Sequence, residues 1–315
     1  MSVTVGSGSF TYEALREWES LPDGMRLIEC PGVAVDADDQ VYVMTRNPEN
    51  PVLVFNREGD LLRVWGQGTF SSRTHGIVVA PDGSIFCVDD GTHTVTKFTP
   101  EGELLMTLGT PNQASVKWGG EPFNRPTHVA VSSKTGDIYV TDGYGNARVH
   151  KFTSDGQLVK SWGEPGIDPG QFNLPHNVVI DSNDLIYVAE RENHRVQIFD
   201  ADGNSVGMWN NIFRPDGMAI GPDGNFYICE LNLGGAEDPP GMGHRVTVLS
   251  PEGKMLAHIG DPLEGEEPGK FVAPHGMAVD SHGDLYVGEV SFTIRGRHMV
   301  PPREMKSLKK LRRTG

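Results

Sequence analysis

Six times along this chain an apolar strand runs into a turn rich in Asp, Gly and Asn and returns as a second apolar strand. The copies are GVAVDADDQVYV from Gly32, HGIVVAPDGSIFCV from His75, HVAVSSKTGDIYV from His128, HNVVIDSNDLIYV from His176, DGMAIGPDGNFYIC from Asp216 and HGMAVDSHGDLYV from His275. Turn residues of this kind tolerate the positive φ that tight hairpins need. A second hairpin follows five of them: VLVFNREGDLLRVWG from Val52, VTKFTPEGELLMTLG from Val95, VHKFTSDGQLVKSWG from Val149, VQIFDADGNSVGMW from Val196 and VTVLSPEGKMLAHIG from Val246. Four antiparallel strands in about 40 to 60 residues, repeated, are the signature of a β-propeller blade. The expectation is an all-β, six-bladed β-propeller forming a single domain over residues 1–315.

The sixth copy lacks a second hairpin of this type. Phe10 to Pro22, FTYEALREWESLP, is similar to the fourth-strand pattern, so residues 10–22 are expected to complete the last blade and close the fold. Closure removes sheet edges that would otherwise pair with other chains. Residues 300–315 carry the one basic run, Arg303 to Arg313, which reads as a solvated tail or a short terminal helix.

Composition excludes several classes. A net charge of -15 disfavours a nucleic-acid partner, because phosphate binding needs a basic stripe that releases counterions. Cys30, Cys87 and Cys229 are scattered with no CxxC spacing, which argues against a disulfide framework and a thiolate metal site and fits a reducing compartment. No stretch of about 18 apolar residues and no signal-like leader stands out, so a soluble, cytoplasmic protein with no membrane partner is expected.

In a propeller the first strand of each blade lines a central channel. Aligned on that strand, the channel-entry positions are Pro31, His75, Thr127, His176, Asp216 and His275. Histidine thus falls in blades two, four and six, and alternate blades of a six-fold ring bring three imidazoles together. Three protein ligands with an open fourth position are the usual form of a catalytic zinc site. Zinc suits neutral nitrogen ligands; Fe, Co, Cu and Ni remain open. The plainer alternative is that each histidine bonds a neighbouring carbonyl. His128 lies one residue out of register and reads as structural, and the other histidines, including His93, His150 and His244, are expected to face solvent.

The ends of the second strands return to the same rim, bringing Arg46, Asp89, Asp90, Asp142, Tyr144, Glu190, Arg191, Glu230 and Glu289 there. Chemistry is expected at this rim, with the loops Thr110 to Arg125 and Leu231 to Gly243 and the PGQFNLP and PGKFVAP segments above it. Arg46 and Arg191 hold equivalent offsets in blades one and four, which suggests capture of a substrate carboxylate; pairing with rim acids such as Glu190 or Asp142 is the alternative. Tyr144 reads either as a general acid/base or as a loop aromatic.

The phrases Asn146-Ala147-Arg148-Val149 and Asn193-His194-Arg195-Val196 resemble the NHL repeat. More specifically, His75-Gly76, Pro175-His176, Pro274-His275, Val140-Thr141-Asp142-Gly143-Tyr144 and Ala189-Glu190-Arg191-Glu192-Asn193 are similar to phrases of the peptidyl-α-hydroxyglycine α-amidating lyases. That resemblance implies zinc on His75, His176 and His275, a catalytic Tyr144, and active-site Arg191 and Arg46. It implies cleavage of a carbinolamide, N-CH(OH)-COOH, into an amide and glyoxylate, on a small-molecule or short-peptide substrate bearing a carboxylate. Gly276 stands where the family has an aspartate near a structural calcium, so Ca2+ is not expected, and Gly145 stands where the secreted enzymes have a cysteine. With no leader and no copper monooxygenase domain, a secreted prohormone is not the expected substrate. Two other readings stay open: a calcium-dependent propeller hydrolase of the lactonase or esterase kind, using acids such as Glu190, Glu230, Glu289 and Asp216, and a non-catalytic NHL binding scaffold.

Overall fold

The computed structural model describes residues 3–233 and 242–315. Most of the Leu231 to Gly243 insertion named above lies outside the described residues. Apolar strands buried along their length and joined by tight turns form antiparallel sheets, one per blade. Blade 1 holds Gly32–Val35, Val41–Met44, Val52–Phe55 and Leu61–Trp65. Blade 2 holds Thr74–Val79, Ile85–Asp89, Thr94–Phe98 and Leu104–Leu108. Blade 3 holds His128–Val131, Ile138–Asp142, Arg148–Phe152 and Leu158–Trp162, and blade 4 Pro175–Ile180, Ile186–Glu190, Arg195–Phe199 and Ser205–Trp209. Blade 5 is Pro215–Ile220, Phe226–Glu230, Arg245–Leu249 and Met255–Ile259. With a sixth sheet beginning Pro274–Val279 and Leu285–Glu289, this is a six-bladed β-propeller fold.

The chain divides into two compact units, residues 1–67 with 216–315, and residues 68–215. Within the second unit, Phe86, Val88 and Leu108 of blade 2 pack on Val129, Val140 and Phe152 of blade 3, and Tyr139 and Val149 pack on Val178, Val188 and Phe199 of blade 4. Within the first, Tyr227 and Val246 of blade 5 pack on Met277 and Val287 of blade 6, and Tyr286 and Leu308 pack on Val33, Val43 and Phe55 of blade 1. Each such aliphatic or aromatic side chain removed from water contributes about 1.5–3 kcal/mol before ordering costs.

A local device recurs in the first hairpin. Asp36, Asp181 and Asp280 accept backbone N–H groups of their own turns, and the second-strand tyrosines Tyr42, Tyr187 and Tyr286 donate their hydroxyls to the same carboxylates at 3.3, 3.3 and 3.1 Å. The tyrosine buries its ring while its hydroxyl stays satisfied, which is what a tight turn beside a dry core requires.

The sixth blade departs from expectation in one respect. Its third strand is Leu308–Arg313, paired along Leu285–Glu289, and the N-terminal strand Phe10–Ala14 is the fourth, with Val3–Ser7 outside it. The closing strand therefore covers Phe10–Ala14, and Trp18 farther on is a buried wedge between Phe55 and Tyr286. The basic C-terminal run is not helical, and its centre is a strand rather than a solvated tail: Leu308, Lys309, Lys310 and Leu311 are all buried, while Arg303 and Arg312 stay exposed. The lysine stems lie in the sheet while their amines reach acceptors, Lys309 to the Glu266 carbonyl at 2.8 Å and to Glu289 at 3.7 Å, and Lys310 to the Arg57 carbonyl at 2.8 Å and to Asp284 at 3.4 Å.

All three cysteines are free and buried. Among the described residues no helix is long and apolar enough to cross a membrane.

Candidate metal and active site

His75 follows Thr74 at the start of the first strand of blade 2. Its Nδ1 lies 2.6 Å from the Thr127 carbonyl oxygen. A carbonyl only accepts, so Nδ1 carries a proton and Nε2 is the nitrogen turned toward the site. His275, at the equivalent place in blade 6, repeats this: its Nδ1 is 2.6 Å from the Pro31 carbonyl. Thr127 and Pro31 are the channel-entry residues of the blades that follow. The carbonyl bond expected of a structural histidine is therefore made, yet it uses only one nitrogen and orients the other.

In the unit of residues 68–215 the Tyr144 hydroxyl stands 3.0 Å from His75 Nε2 and 3.2 Å from His176 Nε2. The two imidazole centroids are 4.7 Å apart at 64°. The hydroxyl has one proton and two basic nitrogens to serve. Tyr144 reaches them because Gly143 precedes it: a Cβ there would lie 2.1 Å from the Pro175 carbonyl oxygen. All three histidines are buried, and His75, His176 and His275 are a group able to hold a metal ion. Their chemistry fits zinc. Imidazole ligands suit such a site, and at His75 and His275 the ring is oriented by Nδ1 on a backbone carbonyl, the usual support of a ligating histidine. Gly276 fits no calcium ligand: any side chain there would meet the Pro31 oxygen and Gly32 Cα at 2.5 and 2.6 Å.

Arg191 lies 5.7 Å from the Tyr144 ring centroid and bonds Glu192 at 2.9 Å, an acid that also takes Arg214 at 2.6 Å. Arg46, in the other unit, donates to Glu29 at 2.6 Å and to Thr293 Oγ1 at 3.0 Å. Both arginines thus pair with acids, Arg46 with Glu29 and Arg191 with Glu192.

The other rim acids belong to the fold. Asp89 accepts the N–H groups of Ser71 and Gly91 at 2.6 and 2.9 Å, Asp142 that of Asn124 at 2.8 Å, Glu190 that of Asn173 at 3.0 Å, and Glu289 those of Val272 and Ala273 at 2.6 and 2.8 Å. Each fastens the loop that leads into its own blade. A third-strand side chain meets the same acid from the side: His150 on Asp142 at 3.3 Å, Gln197 on Glu190 at 2.6 Å, Thr247 on Glu230 at 2.6 Å. Burial pushes the Glu289 and Glu190 carboxyls up. Both carboxylate oxygens of Glu190 and of Glu230 take hydrogen bonds from neighbouring groups, whereas among the described residues Glu289 Oε1 makes no hydrogen bond and lies 3.7 Å from the Lys309 amine.

Of the histidines expected to face solvent, His258, His282 and His298 do so, whereas His150 and His244 are buried and His93 is half-buried. His150 meets Ser161 Oγ at 2.7 Å and Asp142 at 3.3 Å within its own blade, His93 Nδ1 accepts the Arg125 N–H at 3.1 Å, and His244 donates to the Val272 carbonyl at 2.8 Å. His128 points its Nδ1 at the Val178 carbonyl, 3.3 Å away. The rim segments are anchored by Phe123, Phe172 and Phe271, each buried. Sequence reasoning passed over Arg125, whose guanidinium lies 4.5 Å from the Tyr144 centroid, closer than Arg191. Its one signal was Pro126 after it, which placed it beside a first strand.

Comparison with known proteins bears on this site. A profile of the NHL repeat matches residues 123–152 and 172–199, within blades 3 and 4. Human NHL repeat-containing protein 3 is 34% identical over 279 residues, covering 82% of this chain and 76% of that protein. The chain belongs to the NHL repeat family. Peptidyl-alpha-hydroxyglycine alpha-amidating lyase 1 of Drosophila melanogaster is 32% identical over 248 residues, covering 72% of this chain and 44% of that enzyme. A solved streptogramin B lyase superposes with a TM-score of 0.64 over 98% of each chain at 14% identity, a likeness of fold alone.

Proposed function

We propose that this NHL-repeat protein is a metal-dependent lyase that cleaves a carbinolamide, N-CH(OH)-COOH, or a related small α-hydroxy amide, into an amide and glyoxylate. The observation that carries the reading is the Tyr144 hydroxyl set within hydrogen-bond reach of Nε2 of both His75 and His176. The likeness to amidating lyases supports the reaction class.

In this reading His75, His176 and His275 would hold a zinc ion. A bound zinc supplies Lewis acidity toward the hydroxyl or carboxylate of the substrate. Arg191 and Arg46 hold the substrate carboxylate, whose planar oxygens match a guanidinium. Tyr144, entering the step as its phenolate, takes the proton of the hydroxyl as the substrate oxygen becomes the aldehyde oxygen of glyoxylate. The C–N bond breaks, its electron pair leaves on nitrogen, and Tyr144 returns the proton to that nitrogen, so the amide departs neutral. The substrate is a small molecule or short peptide with a free carboxylate, and the buried thiols suit a reducing compartment such as the cytoplasm.

The test is elemental analysis of purified protein beside turnover of N-benzoyl-α-hydroxyglycine, read as glyoxylate released. Stoichiometric zinc, with turnover lost on chelation and restored by zinc, is expected. Full turnover by metal-free protein, or a His176→Ala variant that keeps both metal and activity, would end the reading in favour of a metal-independent enzyme or a scaffold.

A further inference from the structure

We infer that Arg125 is a specificity-determining residue that receives a second anionic group, carried on the amide side of the substrate, so that preferred substrates are doubly negative. The inference rests on the lyase reading for what it calls the amide side; the anion site itself stands on the geometry around Arg125.

The backbone at Arg125 is built to hold it. Its φ is 65°, in the left-handed region that costs a residue with a Cβ about 1 kcal/mol or more. Its N–H donates to His93 Nδ1 at 3.1 Å, and the preceding Asn124 is fixed by its N–H to Asp142 at 2.8 Å and by its side-chain amide to the Ser115 carbonyl at 2.7 Å. A mount fixed before the ligand arrives lowers the ordering cost of binding.

The guanidinium is not required for that conformation. Leu174, likewise just before a proline, adopts φ 63° in blade 4 with no charge at all. Arg214 is the instructive counterpart. It also precedes a proline and gives its N–H to a histidine, His194 Nδ1 at 3.3 Å, but its side chain is only 10% exposed and bonds Glu192 at 2.6 Å. The Arg125 side chain is 37% exposed and makes one longer contact, NH2 to Asp90 Oδ2 at 3.2 Å.

Asp90 is already occupied. Arg73 grips it with two bonds, Nε to Oδ1 at 2.5 Å and NH2 to Oδ2 at 2.9 Å. The neighbouring Asp89 is directed to the N–H groups and hydroxyl of Ser71 and to Gly91 and Thr92. One carboxylate therefore answers two guanidiniums. Among the described residues Arg125 commits a single N–H, and the rest of its fork lies over the edge of the candidate site, 4.5 Å from the Tyr144 ring centroid. On a chain of net charge -15 such a group attracts an anion that most of the molecule repels. Arg191, at 5.7 Å from the same ring, serves the first carboxylate. A guanidinium at each distance from one phenol selects a ligand with two separated negative groups.

The probes are N-succinylglycine and N-acetylglycine, which lack the reactive hydroxyl and differ by one carboxylate, titrated calorimetrically into wild type, Arg125→Gln and Arg125→Lys, with circular dichroism to check folding. Wild type is expected to bind the succinyl compound about tenfold or more tightly than the acetyl compound, as a charge-assisted bond provides. The ratio should collapse toward one in Arg125→Gln and recover partly in Arg125→Lys. No preference in wild type, or a preference that survives Arg125→Gln, overturns the assignment. Turnover of the two α-hydroxyglycine counterparts separates the two claims. Arg125-dependent binding without turnover removes the lyase reading and leaves the anion site standing. Turnover of both at equal kcat/KM removes the Arg125 assignment and leaves the lyase; neither binding nor turnover removes both.

Discussion

Buried acids at the ends of the second strands and buried histidines at the starts of the first strands are both polar groups taken out of water, yet they answer to different demands. Asp89, Asp142, Glu190 and Glu289 are met by backbone N–H groups of the loops they fasten. His75 and His275 satisfy one nitrogen on a neighbouring blade's carbonyl, and in His75 the other nitrogen faces the hydroxyl of Tyr144. A polar group that fastens the loop of its own blade is structure. A group oriented by one bond, with a second atom directed at a reactive side chain, is placed for chemistry.

The sharpest way to break this contrast is to exchange the outcomes. His176→Ala is expected to lose bound metal and to lower turnover by about a thousandfold or more, since a ligand is removed outright, while the protein still melts cooperatively. Tyr144→Phe should keep its metal and lose roughly 10² to 10⁴ in kcat, the range of a lost general acid/base. Equal metal loss in the two variants, read by elemental analysis, would make Tyr144 part of the ligand set rather than a proton carrier.

Acid variants should behave in the opposite way. Glu289→Ala leaves the Lys309 ammonium buried without its carboxylate and the Val272 and Ala273 N–H groups without their acceptor. The cost is about 3–5 kcal/mol of stability, measured by denaturant unfolding, with metal content retained. Adding Lys309→Met should recover part of it, because the unpaired charge is gone. A Glu289→Ala protein of normal stability without metal would overturn the division between the two sets.

Much of this was legible in the chain. The six hairpin copies fix six sheets because continuous apolar runs and turn chemistry agree in each, and the three histidines mark equivalent positions because each opens a first strand. The third strand of blade 6 was not legible, since Leu308–Arg313 has no turn of its own and its lysines read as solvated. One signal was there: Lys310 stacks on Tyr286 at 4.8 Å as Lys151 does on Tyr139 at 5.4 Å and Lys97 on Phe86 at 5.5 Å. The rim acids looked reactive because strand register reveals where a carboxylate lies but not which loop amides reach it. Arg125 and Arg214 read alike in sequence, each an arginine before proline, and differ only in whether an acid is left over for them.

His128 gives the finest test, since it is a first-strand histidine that should side with the acids. It sits one residue past the channel position, with Nδ1 toward the Val178 carbonyl. Burial, then the nearness of His176, lowers its pKa from 6.5 to about 4. The sign follows from which state holds the proton. Above pH 6.5 the ring is neutral folded or unfolded, and its contribution is fully present. As pH falls from 6.5 to about 4 the unfolded chain takes up a proton that the folded chain refuses, and that stability is lost. The loss is on the order of 2 kcal/mol after allowance for partial exposure. Replacing the ring by Gln, His128→Gln, should flatten the stability profile between pH 6.5 and 4 in urea titrations while leaving metal content near that of wild type. A variant whose profile keeps its slope but whose metal is gone would place His128 with His75 and His176 instead, and the one-residue register that separates structural from chemical histidines would no longer hold.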